Sequence, residues 1–235
     1  MSMESTAQRL VQDATAIWDA GVAAVRADRL IADNVNWEDD CLCIGDLVID
    51  RSEFDRVLIV GGGKAVASMA SELEQRLAPR VPVYGWVNVP EGTADDSMRG
   101  SVRIFEARPA GMNEPTPAVL EGTSRILELV SKANSRDLVL AVLSGGGSAL
   151  LAAPIDGVSL DDKLQLTRHL SMSGADIGDL NTVRKQLSRI KGGGLKRACK
   201  TARLMTLVLS DVLGDPLDVI ASGPTVENTG GTQKV

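Results

Sequence analysis

Apolar runs and amphipathic stretches alternate along most of this chain, and their order predicts its strands and helices. Residues 138–143 are apolar throughout and residues 204–209 are apolar except for Thr206, as expected of strands buried on both faces of a parallel sheet. Further strands are predicted at residues 56–60, 81–89 and 102–106. Because helical patterns separate these strands, we predict an α/β fold: a doubly wound, mostly parallel, Rossmann-like sheet with helices on both faces.

The helices follow from apolar positions at three- and four-residue steps. They are predicted over residues 4–30, 65–77, 159–173 and 176–189, with a further helix ending near residue 133. Residues 35–50 are less regular, and a short hairpin is predicted there around residues 41–49. In a sheet of this class, ligands gather at the carboxyl ends of the strands.

Composition narrows the function classes. Aromatic residues make up 3% of the chain, so its core must consist mostly of aliphatic side chains. A net charge of −6 without a basic stripe argues against nucleic-acid binding. Three cysteines are too few and too irregularly spaced for a disulfide framework or a zinc site. With no signal peptide and no apolar run of membrane-spanning length, we expect a cytoplasmic protein without a membrane partner.

Two segments repeat one arrangement, in which an apolar strand runs into three glycines and then a helix. Glycine allows a backbone to approach a ligand closely, and the start of a helix offers unpaired N–H groups, so each segment predicts an anion cradle. The alternative is that the glycines only form tight turns. The candidate phosphate-binding residues are Gly61, Gly62 and Gly63 in the first segment, and Ser144, Gly145, Gly146, Gly147 and Ser148 in the second.

Neither segment fits the better-known nucleotide fingerprints. The P-loop spacing is absent around Lys64, and the dinucleotide pattern fails at Val66 and at Leu150. Lys64 itself opens a helix, where a lysine opposes the helix dipole. We therefore predict that Lys64 contacts a phosphate or carboxylate.

Two later segments carry further polar candidates. Asn181 and Arg184 share one face of a predicted helix, and Lys191 precedes another glycine turn; a solvated basic face is the alternative interpretation. Asp211 follows an apolar strand, where a carboxylate can hold Mg²⁺ or accept a hydroxyl proton. Asp215 has the same two options or caps a helix.

Taken together, these motifs resemble the class II glycerate 2-kinases, a two-domain family whose C-terminal part is called the MOFRL domain. The resemblance runs in order from about residue 5 to about residue 228. It implies ATP-dependent phosphorylation of D-glycerate, or a related small hydroxy acid, at the 2-hydroxyl, with ATP and Mg²⁺ bound in an interdomain cleft. The segments that carry it are Gly61-Gly-Gly-Lys64, Ser144-Gly-Gly-Gly-Ser148, Asn181-Thr-Val-Arg-Lys185, Ser210-Asp-Val-Leu-Gly-Asp215 and Ala221-Ser-Gly-Pro-Thr225.

The resemblance also implies roles for individual residues. Lys64 matches the family's catalytic lysine, residues 144–148 match the nucleotide-phosphate loop, and Asp211 matches a strand-end aspartate. From the residues themselves we predict that Asp211 is also catalytic and that Asp211 and Asp215 bind Mg²⁺. The cleft-facing positions that match substrate contacts are Asn181, Arg184 and Lys191. Where many members have the histidine of a His-Pro-x-Pro motif, this chain has Arg108.

The resemblance further implies a domain organisation. Residues 1–235 correspond to the family's N-terminal α/β domain, which we expect to be incomplete at its C-terminus, with the MOFRL-type domain outside this chain. Two alternative functions remain open from the sequence, an NAD(P)H-dependent hydroxypyruvate reductase and a non-catalytic nucleotide- or anion-binding fragment. The oligomeric state is also open, with a homo-oligomer among the options.

Overall fold

The computed structural model describes residues 3–98 and 100–227 of the chain, so the last residues of the predicted domain, 228–235, lie outside the described part. Eight helices and eight strands are described, besides three short 3₁₀ turns. In chain order they are α1 (Met3–Ala24), α2 (Ala27–Asn34), β1 (Val35–Glu38), β2 (Cys41–Ile44), β3 (Leu47–Asp50), β4 (Arg56–Gly62), α3 (Val66–Leu77), β5 (Val83–Pro90), β6 (Val102–Arg108), α4 (Pro117–Ser131), β7 (Asp137–Ser144), α5 (Gly147–Leu150), α6 (Leu160–Met172), α7 (Ile177–Gln186), α8 (Gly194–Cys199) and β8 (Arg203–Leu209).

Five of these strands form one parallel sheet in the order β6-β5-β4-β7-β8, which confirms the predicted fold class. From β4 the chain adds β5 and β6 on one side, then crosses over to add β7 and β8 on the other. The strand order therefore reverses between β4 and β7. In open α/β sheets the crevice at such a switch point is where ligands bind.

The central strands are the best-buried part of the chain. Every residue of β7 is buried, as is every residue of β4 except the first. Because side chains alternate across a strand, Val57 and Ile59 pack on one face of the sheet against α3, whereas Leu58 and Val60 pack on the other face with side chains of α4 and α8. Full burial of one such side chain contributes about 1.5–3 kcal/mol, so these two layers fix the strand ends in space.

The N-terminal region differs from its prediction in two ways. The helix predicted over residues 4–30 is two helices, because Arg26 adopts an extended backbone (φ −61°, ψ 138°) and precedes α2. The predicted hairpin is present as β2 and β3, and β1 pairs with β2 to make a three-stranded antiparallel sheet. No helix in the described part of the chain is long and apolar enough to cross a membrane.

Gly61 and Gly62 were expected to form a turn, but they are the last two residues of β4. Gly61 pairs with Val87 on one side and with Val142 on the other. A methyl group at Gly61 would lie 1.9 Å from the Val142 carbonyl oxygen, so only glycine lets these strands approach this closely. The turn itself begins at Gly63.

This close approach predicts a large effect of one methyl group. Gly61→Ala should destabilise the protein by about 3 kcal/mol or more, the upper end for overpacking, because the obstructing atoms belong to backbone. Gly21→Ala is the matched control, since Gly21 lies in α1 with no atom within 4 Å of an added Cβ. That change should be neutral or stabilising by up to about 1 kcal/mol. Urea unfolding of both variants measures the difference, and equal midpoints would contradict the packing argument.

Candidate active site

The two glycine segments meet where β4 and β7 end side by side. The backbone N–H of Lys64 donates to the Gly145 carbonyl oxygen at 2.9 Å, and that of Ala65 donates to Ser144 Oγ at 3.0 Å. The Gly63 N–H donates to the Asn88 carbonyl oxygen at 3.2 Å. The first segment thus uses its N–H groups inside the protein. Phosphate contacts by Gly61, Gly62 and Gly63 stay a prediction, and the geometry gives these glycines a packing role.

The second segment, residues 144–148, leaves its backbone donors free. Gly146 turns the chain with φ +78°, a conformation that glycine adopts without strain. Beyond that turn, Ala149 N–H donates to the Gly146 carbonyl oxygen at 3.2 Å. The N–H groups of residues 145–148 have no protein acceptor among the described residues. Successive free N–H groups in a turn form a concave site for anions, so of the two segments this one has the geometry of a cradle.

Two cationic side chains converge on the same turn. A methyl group at Gly146 would lie 3.3 Å from Lys64 Cε and 3.3 Å from Arg108 Nη2. Lys64 is exposed, whereas Arg108 is 2% exposed and reaches this point from the end of the edge strand β6. Its Nε and Nη1 atoms are buried without a hydrogen-bond partner among the described residues, and burial lowers its pKa.

A cavity of about 200 Å³ lies beside this turn. Lys163 enters it from the first turn of α6, and it is the one buried residue of that helix. The Lys163 amine has no hydrogen-bond partner among the described residues. Burial, with a smaller contribution from the charge of Arg184, lowers the pKa of Lys163 to about 8. The cavity is lined by Asn113, Glu114, Pro115, Gly146, Ser148, Ala149, Ala152, Lys163, Leu164, Thr167, Arg184 and Lys191.

A buried hydrogen-bond network supports the cradle from below. Lys191 Nζ donates to the carbonyl oxygen of Ser148 at 2.6 Å and to its Oγ at 2.9 Å. Ser148 Oγ lies 2.9 Å from Ser222 Oγ, which donates to Asn181 Oδ1 at 3.3 Å. Burial first, then the charges of Lys163 and Arg184, lowers the pKa of Lys191 well below its ordinary value. The structure therefore brings together the predicted substrate residues Asn181, Arg184 and Lys191, the first and last of them buried.

Ser222 reaches this network through an unusual backbone. Ala221 and Ser222 both have positive φ values, 51° and 63°, which are rare for residues other than glycine. Two such residues in succession cost free energy unless the surrounding structure requires them, and they cluster at functional sites. Here they place a fully buried hydroxyl against Ser148.

The predicted acidic residues differ in position. Asp211 is exposed and approaches Gly145 so closely that a methyl group there would lie 2.4 Å from Asp211 Oδ2. Asp215 lies in the exposed turn that follows. The described residues contain no group of three or more His, Cys, Asp or Glu side chains that could hold a metal. Mg²⁺ in phosphate-handling sites uses one or two carboxylates plus phosphate oxygens, so Asp211 fits such a role, and Mg²⁺ binding by Asp211 and Asp215 stays a prediction.

The charge balance of the site is positive although the chain carries −6 overall. Among the described residues, none of its cations takes part in a salt bridge; they are Lys64, Arg108, Lys163, Arg184 and Lys191. Glu114 lines the cavity, but Arg168 holds it in a bidentate ion pair at 2.7–3.0 Å. Buried charges without partners are costly, so this arrangement is suited to an anionic ligand.

Sequence reasoning did not identify three of these residues as site residues. Lys163 carried a usable signal, because a lysine in the first turn of a helix opposes the dipole as Lys64 does. Arg108 carried one too, as a cation at a strand end. Ser222 lies in the segment 221–225 that contributes to the family resemblance, but that segment did not identify its partners Ser148 and Asn181, which are distant in the chain.

The uncompensated charge of Lys163 predicts a pH-dependent stability. Below pH 8 the folded protein carries a buried cation, so Lys163→Met should raise the free energy of unfolding at pH 7 by up to about 3 kcal/mol. The folded protein releases this proton near pH 8 and the unfolded chain near pH 10.5. The free energy of unfolding of the wild type therefore rises between pH 8 and pH 10.5, and the difference between Lys163→Met and wild type should shrink. Urea unfolding from pH 7 to pH 10.5 measures it, with the exposed Lys132→Met as control. A constant difference would contradict the expectation.

Comparisons with known proteins show the family of the chain. The chain matches the family described as "Domain of unknown function (DUF4147)" over residues 13–235. It is 37% identical over 231 residues to a glycerate kinase of Danio rerio, a match covering 94% of this chain and 45% of that protein. It is 43% identical over 176 residues to a D-glycerate 2-kinase of Thermotoga maritima, covering 75% and 41%.

A further relative and a solved structure complete the comparison. A protein of Agrobacterium vitis that is provisionally named a hydroxypyruvate reductase is 44% identical over 175 residues, covering 74% of this chain and 43% of that protein. The crystal structure of a glycerate kinase from Thermotoga maritima matches with a TM-score of 0.80 and 36% identity, over 96% of this chain and 50% of that one. The chain thus spans about half the length of the proteins it matches. It belongs to the DUF4147 family, the N-terminal domain of glycerate kinase/MOFRL proteins.

Proposed function

We propose that this chain takes part in the ATP-dependent phosphorylation of D-glycerate, or a related small hydroxy acid, at the 2-hydroxyl to give 2-phosphoglycerate. One observation carries the proposal: unpaired cations surround a turn with free N–H groups at the switch point of the sheet. A reaction between a polyphosphate and a carboxylic acid needs this excess of positive charge. The glycerate kinase names of relatives at 37% and 43% identity support the same reaction.

In this reaction, different residues would bind the phosphates and handle the metal ion or the proton. The free N–H groups of residues 145–148, with Lys64 and Arg108, are placed to neutralise phosphate oxygens. Phosphoryl transfer depends mostly on positioning and charge neutralisation, which this set of donors supplies without a histidine. Asp211, next to Gly145, offers a carboxylate to hold Mg²⁺ or to accept the proton of the attacking hydroxyl. Mg²⁺, when bound, neutralises phosphate charge.

We also propose that these residues form the N-terminal side of the catalytic cleft. The matched glycerate kinases are about twice the length of this chain, so the rest of each protein has room to supply the opposite side. Asn181, Arg184 and Lys191 would then bind substrate from the side described here. Residues 1–235 would act as one α/β domain of a two-domain enzyme.

The reductase alternative finds less support in the site. A dinucleotide-binding turn needs free N–H groups after the first strand, but those of Gly63, Lys64 and Ala65 are used inside the protein. The next strand, β5, carries Asn88 near its end, which is fully buried and donates to the Leu150 carbonyl oxygen at 2.9 Å. Asn88 therefore offers no carboxylate to hold a ribose at this position of β5.

The direct test is a coupled assay for ADP formation from ATP, Mg²⁺ and D-glycerate. It should be run on this chain and on the complete polypeptide that carries these 235 residues. The kinase proposal expects ADP and 2-phosphoglycerate in equal amounts from the complete polypeptide. Oxidation of NAD(P)H by hydroxypyruvate without ADP formation would favour the reductase. Binding of ATP–Mg²⁺ without either turnover would favour the non-catalytic alternative.

Within this function, Lys64 has a specific expected effect. Lys64→Met should lower kcat by about 10²–10³-fold, the usual loss when one donor to developing charge is removed. The free energy of unfolding should stay nearly unchanged, because Lys64 is exposed. Lys132→Met, which removes an exposed lysine far along the chain at the end of α4, should keep full activity. Equal rates for the two variants would remove Lys64 from the catalytic residues.

A further inference from the structure

Lys163 is the most unusual buried group of the described chain outside the residues already assigned. Lysine is almost never buried without a partner, and its flexible stem normally lets the amine reach water. Here the residue is 8% exposed and its amine has no hydrogen-bond partner among the described residues. The helix dipole adds to the cost, since Lys163 lies in the first turn of α6. A group held in this way needs an anion that enters the cavity.

The neighbouring charged residues do not supply a counter-charge for the Lys163 amine. Lys191 and Arg184 repel it, and Lys191 is itself bound to Ser148. Glu114 is the acidic residue that lines the cavity, but both of its carboxylate oxygens are bound by Arg168. Within residues 3–98 and 100–227, Lys163 and Arg184 are therefore the two cations of this cavity without a counter-charge or a hydrogen-bond partner.

The cavity is suited to a small acid. Its volume of about 200 Å³ lies below the 300–1,000 Å³ of pockets for larger ligands such as nucleotides. Pro115, Ala149 and Leu164 add apolar surface to the lining of the cavity. A carboxylate on a short carbon chain matches this combination. The cavity also opens on Gly146 and Ser148, so an acid held by its carboxylate would place its hydroxyl towards the cradle.

We propose that Lys163 and Arg184 bind the carboxylate of the short hydroxy acid that the cradle phosphorylates. Lys163 lies outside the sequence motifs that carry the family resemblance. It rests on the proposed function, because it states which residues hold the acid group of that substrate.

The test is isothermal titration calorimetry of the 235-residue chain at pH 7 with D-glycerate, glycerol and inorganic phosphate. Losing a charge-assisted hydrogen bond should weaken D-glycerate binding to Lys163→Met by about ten- to a hundredfold. Glycerol, which lacks the carboxylate, should not distinguish the variant from wild type, and phosphate affinity should change much less than D-glycerate affinity. Lys132→Met should bind D-glycerate as wild type does. A far-UV circular dichroism melt confirms that each variant is folded.

Three results would overturn the proposal. They are equal D-glycerate affinity in wild type and Lys163→Met, a larger loss for phosphate than for D-glycerate, and no D-glycerate binding by wild type. The kinase proposal fails separately. Binding of D-glycerate that depends on Lys163, without ADP formation by the complete polypeptide, overturns the kinase and supports the carboxylate site. If the complete polypeptide forms ADP and its KM for D-glycerate is the same in wild type and in Lys163→Met, the carboxylate site is overturned and the kinase is supported.

Discussion

Two hydrogen bonds at the ends of β4 and β7 fix the geometry on which the candidate site depends. They join Lys64 N–H to the Gly145 carbonyl oxygen and Ala65 N–H to Ser144 Oγ. The approach is possible because Gly63 has no side chain, since a Cβ there would lie 2.2 Å from Ser144 Oγ. The backbone donors after the first glycine segment are thereby used to position the second segment. The two segments therefore supply different groups to the site: the first contributes a lysine side chain and the second contributes free N–H groups.

The site lowers the stability of the protein that contains it. Arg108 and Lys163 are buried with unpartnered nitrogen atoms, and Lys191 is buried against neutral oxygens. Each cation would be more stable in water, so the apolar layers around β4 and β7 must offset the difference. Functional sites commonly keep such destabilising groups, because a site that is already charged and dehydrated needs less reorganisation when a ligand binds. The unpaired cations are therefore better explained by binding than by folding.

The sequence predicted the sheet almost completely, and the reason is local. β7 and β8 are apolar runs, so their type could be predicted without knowledge of their neighbours. The site was predicted in part. Glycine loops and strand-end residues such as Asp211 carry their signal in a few adjacent positions. Arg108 and Ser222 carry a weaker signal of this kind, because the contacts that bring them into the site are with residues distant in the chain. The separation of α1 from α2 was missed for a related reason, since one extended residue, Arg26, interrupts an otherwise helical pattern.

A ligand bound at Lys163 would also affect the stability of α6. α6 buries a lysine and no apolar residue, although its leucines are partly covered, so burial of apolar surface does little to hold it against the rest of the domain. The ion pair between Arg168 and Glu114 is exposed and adds little. An anion that pairs with Lys163 would remove the repulsion beneath α6 and stabilise the folded form by mass action. The same contact that selects a carboxylate would then also hold α6 in place, so substrate recognition would stabilise the fold around the site.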